Sequence, residues 1–253
     1  MEIYHTKNKL LSDEKVLGGF LSLNCPSLVE MVGYSGFDFI VIDNEHGAFS
    51  NSDILELIRA CKVSNLTPIV RTVNNEDFIQ KLLDSGAQGI QVPMVNNKEQ
   101  AEKVVKNCLF NPDGNRGVSY SIPAAKYGLY KGRGYLDYTN DNLLINIQIE
   151  TLEAINNIQE ILKVERIDVV FIELTNLSNN LQLSIDDIKF KQEIDNLINE
   201  IKKNGKKVGI VANNANSAKE YLVQGIDYVV VIINTLINDS LKNVIEQKNE
   251  EKC

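Results

Sequence analysis

Four short stretches carry side chains whose types and spacing could do chemistry. Asp43-Asn44-Glu45-His46-Gly47 sets two carboxylates and an imidazole within five positions, directly after the apolar run Phe37 to Ile42. An imidazole beside a carboxylate titrates near neutrality, which suits proton transfer. The chain has two histidines, His5 and His46, and only His46 falls in a segment that reads as ordered. Arg71, at the end of TPIVRTV, offers a planar fork that fits a carboxylate, so an acidic substrate is expected. It reads equally well as the ion-pair partner of Asp43 or Asp84. Gln148 and Glu150 close the run LLINIQIE, and His46 with Glu150 could serve as acid and base. Glu173, Leu174, Thr175 and Asn176 follow the run IDVVFI. A lone glutamate at a strand end is as often structural as functional, and the asparagines alone signify nothing. Zinc is not expected from one well-placed histidine and no cysteine cluster. A magnesium-type site needs about two carboxylates. Glu150 is one, and the position that should supply the second holds the neutral Asn176.

Such groups need elements to position them. The sequence predicts eight strands alternating with helices: Val16–Leu23, Phe37–Asp43, Thr67–Val73, Gln88–Val95, Leu143–Glu150, Ile167–Leu174, Val208–Val211 and Ile226–Ile233. Between them, 3.6-residue periodicity predicts helices at Pro26–Gly33, from Asp53, and at Glu76–Ser85, Lys98–Cys108, Leu152–Val164, Phe190–Asn204, Ser217–Gln224 and Leu236–Gln247. Residues 110–142 break the rhythm with glycines, prolines and five tyrosines, and read as a long loop that packs through its aromatics. Eight βα units in one domain spanning residues 1–253 specify an α/β fold of the (β/α)8 TIM-barrel type, whose carboxyl-end mouth carries the chemistry. Every strand from the second to the eighth ends in a polar side chain, with Gln91, Asn213, Asn214 and Asn234 completing the set. Neither GxGxxG after the first strand nor GxxxxGK[ST] occurs, so no nucleotide fingerprint is present.

Bulk properties narrow the class. A net charge of −8 and a pI near 5.0 argue against a nucleic-acid partner. The apolar runs are too short to span a membrane, and the first residues lack the apolar centre of a signal peptide. Cys25, Cys61, Cys108 and Cys253 show no metal or disulfide spacing. They read as reduced thiols, the last in a frayed tail, of a cytoplasmic protein.

The combination FDFIVIDNEHG, the arginine of TPIVRTV, LLDSGAQGIQVPMVNNKEQAEKVV, FNPDGNRGV and IQIET resembles the HpcH/HpaI aldolase family from about Leu17 to Ile233. The resemblance implies a homo-oligomeric TIM barrel that makes or breaks a carbon–carbon bond next to a 2-oxo acid through an enolate. It assigns acid–base work to His46, its orientation to Asp43, and the holding of the 2-oxo acid to Arg71. Gln148 and the first metal carboxylate, Glu150, also match. One strand departs from the pattern. Where members read roughly F-I-G-P-x-D-L-S, this chain has Phe171-Ile172-Glu173-Leu174-Thr175-Asn176-Leu177-Ser178. The metal-binding Asp has become Asn176, the Gly-Pro that cradles the substrate carboxylate has become Glu173-Leu174, and an aspartate near the last strand is Asn234.

An amide in place of a ligating carboxylate weakens divalent-ion binding. The expectation is therefore a metal-independent branch, resembling the citrate synthases of siderophore biosynthesis, with no cofactor. Glu150 would take a proton from acetyl-CoA while Arg71 and His46 bind and polarise oxaloacetate, giving citrate. The substrate pocket would comprise Arg71, Gln148, Glu173, Leu174, Thr175 and Asn176. Lys126, Lys131 and Arg133 are guesses at a contact for the acetyl-CoA phosphates. The alternative is an aldolase using Mg or Mn to cleave a 4-hydroxy-2-oxo acid to pyruvate and an aldehyde. A third reading is a non-catalytic barrel that binds a 2-oxo acid.

Overall fold

A computed structural model describes residues 4–250; Cys253 lies outside the described residues. Eight parallel strands close into a barrel in sequence order: β1 (Val16–Leu21), β2 (Phe39–Asp43), β3 (Thr67–Arg71), β4 (Gly89–Val92), β5 (Leu144–Ile149), β6 (Val169–Ile172), β7 (Lys207–Ala212) and β8 (Tyr228–Ile232). The expected (β/α)8 architecture is therefore present. Among the described residues, twelve α-helices accompany the strands: α1 (His5–Leu11), α2 (Pro26–Tyr34), α3 (Asn51–Val63), α4 (Glu76–Asp84), α5 (Lys98–Cys108), α6 (Arg133–Asn142), α7 (Leu152–Asn156), α8 (Ile158–Leu162), α9 (Leu174–Leu181), α10 (Ile188–Lys203), α11 (Ala215–Val223) and α12 (Ile233–Glu250). None of the described helices is long and apolar enough to cross a membrane.

The barrel interior is packed. Val16, Phe39, Val41, Ile69, Leu144, Val169, Phe171, Tyr228 and Val230 form one buried cluster inside it. Phe39 and Tyr228 stack with ring centroids 4.1 Å apart. Gly18 makes room for them, since a Cβ there would lie 2.1 Å from the Phe39 ring. Burying an aromatic of this size contributes about 1.5–3 kcal/mol, and the rings form a solid floor beneath the mouth. The larger cluster lies outside, between the strands and the surrounding helices.

Four expectations need correction. His5 is in an ordered element after all, because it opens α1. That helix closes the barrel's amino end: Thr6 Oγ1 donates to Thr67 Oγ1 at 2.8 Å, and Lys7 Nζ donates to the Leu143 carbonyl at 2.8 Å. Residues 110–142 are not loop throughout. They hold a 3₁₀ turn, Pro123–Gly128, and α6, where Tyr135 gathers Phe110, Tyr120 and Tyr130 around its ring. The helix expected over Leu152–Val164 is broken into α7 and α8 at Asn157, which ends the first and caps the second. Finally, the strand expected over Ile167–Leu174 runs only from Val169 to Ile172, and Leu174 already opens α9. Its polar Asn and Ser content is offset by the buried Leu174 and Leu177.

The helix α12 leaves the body. Ile233 is buried, but every residue from Asn238 to Lys248 is exposed, Leu241, Val244 and Ile245 among them.

Candidate functional site

The register of β2 and β3 sets Asp43 beside Arg71. Arg71 donates from Nε to Asp43 Oδ1 at 2.8 Å and from Nη2 to Oδ2 at 2.7 Å, a two-pronged pair. Its guanidinium carbon also lies 4.8 Å from the centre of the Phe20 ring. Nη1 has no partner among the described residues. Asp84 is taken by Arg116 instead. Burial acts to raise the Asp43 pKa, but the Arg71 fork outweighs it and holds the carboxyl below its ordinary value. Burial likewise acts against the Arg71 charge, and Asp43 followed by Glu45 and Glu150 raises its pKa above the ordinary value. The pair is a fixed cation and a fixed anion with one guanidinium nitrogen to spare.

Asp43 does not meet the His46 imidazole. Its Oδ1 accepts the backbone N–H groups of Glu45 at 3.3 Å and His46 at 3.4 Å, so it shapes the turn rather than orienting the ring. The carboxylate near the imidazole is Glu45, whose Oε2 lies 3.9 Å from His46 Nε2 and 3.3 Å from Arg71 Nε. Burial raises the Glu45 pKa, and the nearby Glu150 and Asp43 add to that against Arg71 and His46. The His46 side chain is 70% exposed. Glu45, one of the two carboxylates noted in this turn, was assigned no catalytic or binding role from the sequence, yet it is the one that reaches both His46 and Arg71.

On β5, Asn146 and Gln148 face the barrel interior with Gln91 of β4, all at 0% exposure. Neither amide atom of Gln91 or Gln148 has a hydrogen-bond partner among the described residues. Glu150, one residue past β5, is 3% exposed. Its Oε1 accepts the Met94 N–H and its Oε2 accepts the Asn176 Nδ2–H, each at 2.6 Å. Met94 reaches that geometry from a left-handed backbone, φ 57°, which a non-glycine residue adopts only under local constraint.

After β6, Glu173 caps α9 by accepting the Asn176 N–H at 2.6 Å. Thr175 and Asn176, in the first turn, reach the mouth. Leu174 does not line it; its side chain is buried in the outer core, so its expected place in the substrate pocket is corrected. Asn214 caps α11, and Asn234 Nδ2 donates to Ser22 Oγ at 2.7 Å. A cavity of about 280 Å³ results, with Phe20, Phe171, Val211 and Ile232 as its apolar side. Asp43, His46, Arg71, Gln148, Glu173, Thr175 and Asn176 supply its polar side. Glu150 sits just off this cavity, joined to it through Asn176.

Lys126, Lys131 and Arg133 do not line the mouth. Lys126 borders a separate cavity with Asn65, Thr67 and Gln88, at the barrel's amino end, and Arg133 is paired with Asp137. Lys126, at the opposite end of the barrel, is not placed to steady the phosphates of a substrate entering this mouth. Burial pushes the Cys61 and Cys108 thiols up, so neither is a ready nucleophile.

The residues present do not fit a divalent ion at Glu150. Hard cations take several oxygen ligands, but both Glu150 oxygens accept N–H donors, one from the amide nitrogen of Asn176. No group of three or more His, Cys, Asp or Glu side chains among the described residues could hold a metal.

The pattern of the HpcH/HpaI aldolase/citrate lyase family matches residues 17–235. The 2-keto-3-deoxy-L-rhamnonate aldolase of Escherichia coli (strain K12) is 32% identical over 235 residues, 91% of this chain and 87% of that one. Among solved structures, the citrate synthase SbnG superposes with a TM-score of 0.86 at 26% identity, covering 99% of both chains. An HpcH/HpaI aldolase from Desulfitobacterium hafniense DCB-2 superposes at 0.87 with 26% identity, covering 96% of both.

Proposed function

The chain belongs to the HpcH/HpaI aldolase/citrate lyase family and is a carbon–carbon bond-forming or cleaving enzyme, and we propose that it works on a 2-oxo acid without a divalent ion at Glu150. One observation carries this reading: the 2.6 Å contact between Asn176 Nδ2 and Glu150 Oε2. It sets a neutral donor where a second metal carboxylate would stand, and leaves Glu150 to act as a carboxylate base rather than a metal ligand.

The reaction that uses such a base is condensation of acetyl-CoA with oxaloacetate. Arg71 Nη1 and the Gln148 amide hold the 2-oxo acid, with Arg71 polarising the ketone. Glu150 removes a proton from the acetyl methyl, and the resulting enolate carbon attacks the ketone carbon. Arg71 steadies the oxyanion that forms, and His46 protonates it. Hydrolysis of the thioester then releases citrate and the CoA thiol. The likeness to SbnG supports this choice.

A second reading is favoured by the 32% identity to the rhamnonate-derived aldolases, which is higher than the identity to SbnG. Here the enzyme would cleave a 4-hydroxy-2-oxo acid to pyruvate and an aldehyde, and Glu150 and the amide oxygen of Asn176 would have to hold a Mg or Mn ion that polarises the 2-oxo group, which the N–H donors now on Glu150 oppose. Thiol release from acetyl-CoA and oxaloacetate, run beside pyruvate release from a 4-hydroxy-2-oxo acid and each with and without EDTA, separates the two. EDTA-resistant thiol release is the expected result. Metal-stimulated pyruvate release without thiol release would establish the second reading.

We also assign the chain to a homo-oligomer of the cytoplasm. The exposed apolar residues Leu241, Val244 and Ile245 of α12 support the assembly, because a lone helix of this kind is marginal in water. The unpaired thiols of Cys25, Cys61 and Cys108 support the compartment.

A further inference from the structure

We infer that the Glu173 carboxylate is an internal stand-in for a substrate carboxylate: it occupies the anion subsite at the N-terminus of α9, and a 2-oxo acid enters by displacing it. This deepens the 2-oxo-acid reading above and rests on it.

Three features of the mouth support the inference. The first turn of α9 opens onto the cavity, which Glu173, Thr175 and Asn176 all line. The N–H groups of a helix N-terminus attract a carboxylate, and here the chain supplies its own, with Glu173 Oε2 accepting the Asn176 N–H at 2.6 Å. Second, Gln148 borders the same cavity at 0% exposure, with neither amide atom partnered among the described residues. A buried amide in that condition is matched to a polar ligand rather than to the fold. Third, Arg71 already spends Nε and Nη2 on Asp43. A substrate carboxylate bound between Arg71 Nη1, Gln148 and the α9 N–H groups would satisfy all three, and the Glu173 charge opposes it.

Glu173 is also suited to leave. Ser, Thr, Asp and Asn cap helices well because their short side chains reach the N–H groups with little loss of freedom. A glutamate must fold back a longer chain and give up more rotamer entropy. Glu173 therefore sets how tightly a 2-oxo acid binds.

The test is calorimetric titration of the full chain with oxalate, an unreactive mimic of a 2-oxo acid, in wild type, Glu173→Gln and Glu173→Gly. Glu173→Gln keeps an acceptor for the Asn176 N–H and removes the charge; binding tightens about threefold to fivefold. Glu173→Gly removes the competitor and binding tightens about tenfold, within what a helix N-terminus is worth to an anion. In turnover, KM for the 2-oxo acid falls by a similar factor, which a merely structural role would not produce. If Glu173→Gly fails to fold for want of a cap, Glu173→Gln still decides the matter. Equal or weaker oxalate binding by the variants, with wild-type binding intact, overturns the inference and leaves the 2-oxo-acid reading standing. Absence of oxalate binding by all three proteins overturns both.

Discussion

Asn176→Asp is the sharpest perturbation of this site, because it puts a second carboxylate beside Glu150, where the family resemblance implies one. In the wild-type chain the Asn176 amide donates to Glu150 Oε2 at 2.6 Å, and the Asn176 backbone N–H donates to Glu173 Oε2 at the same distance. An aspartate deletes a donor to a charged acceptor, a loss of about 1.5–3 kcal/mol. It also brings a like charge against Glu150, and two charges about 4 Å apart at an effective dielectric near 20 repel by about 4 kcal/mol. Proton uptake by one of the two relieves much of that repulsion, leaving a net cost of about 3 kcal/mol. For a chain of this size each 1 kcal/mol moves Tm by about 2–4 °C, so the variant should melt about 6–12 °C below wild type in EDTA. Glu150 and Asp then form an oxygen pair suited to a hard cation. A cation at about 100 times its Kd returns about 2.7 kcal/mol, most of the loss. The assay is thermal unfolding of both proteins in EDTA and along a Mn²⁺ titration. The expected result is a variant rescued by Mn²⁺ beside a wild type that does not respond. A saturable rise of several degrees in the wild-type Tm would refute the reasoning, since the native carboxylate–amide pair would then be holding the ion.

Glu150→Gln should lower kcat by about 10²–10⁴-fold, the usual worth of a positioned base, with KM for the 2-oxo acid nearly unchanged. An unaltered kcat would remove Glu150 from the chemistry. Asp43 has a folded-state pKa below its ordinary value of 3.8. Its contribution to stability is therefore present in full above that pH and lost as pH falls through the lower folded value. Asp43→Asn should melt lower than wild type at neutral pH, and the two Tm curves should converge in the acid range; curves that stay parallel there would exclude the Asp43–Arg71 pair as the cause. Combining Asn176→Asp with Glu173→Gly should cost less than the sum of the single changes in EDTA, because one of the carboxylates crowding residue 176 is gone. Strict additivity in Tm-derived free energies would show that Glu173 and residue 176 do not interact.

The barrel was legible because its signal is repeated and local. Each buried parallel strand shows as an apolar run, and a polar residue falls at its carboxyl end whether or not the preceding boundary is read two residues long, as at Phe37 against Phe39. Arg71, Gln148 and Asn176 were placed at the mouth for that reason. What periodicity could not give was direction within a turn. Asp43 and Glu45 lie two residues apart, yet only Glu45 comes near the imidazole, because Arg71 from the neighbouring strand has claimed Asp43. Leu174 and Glu173 are adjacent, yet the onset of α9 turns one into the core and the other into the cavity. The residues 110–142 misled for a related reason, since an aromatic cluster holds α6 without an apolar stripe of the usual kind.

The two departures from the family pattern are better understood as one. Asn176 is held between carboxylates, its amide on Glu150 and its backbone N–H on Glu173. With an aspartate at 176 and a glutamate at 173, three carboxylates would meet at the N-terminus of α9, and only a cation could offset them. With a glycine at 173 and an asparagine at 176, the helix N-terminus would stand open and Glu150 would still have its donor. The pairing found here keeps the local charge tolerable without a metal ion and covers the anion subsite with a side chain that a stronger carboxylate ligand can push aside. On that argument, an amide at 176 is what makes a carboxylate at 173 tolerable, and under the proposed reading Glu173 tunes the affinity for the 2-oxo acid.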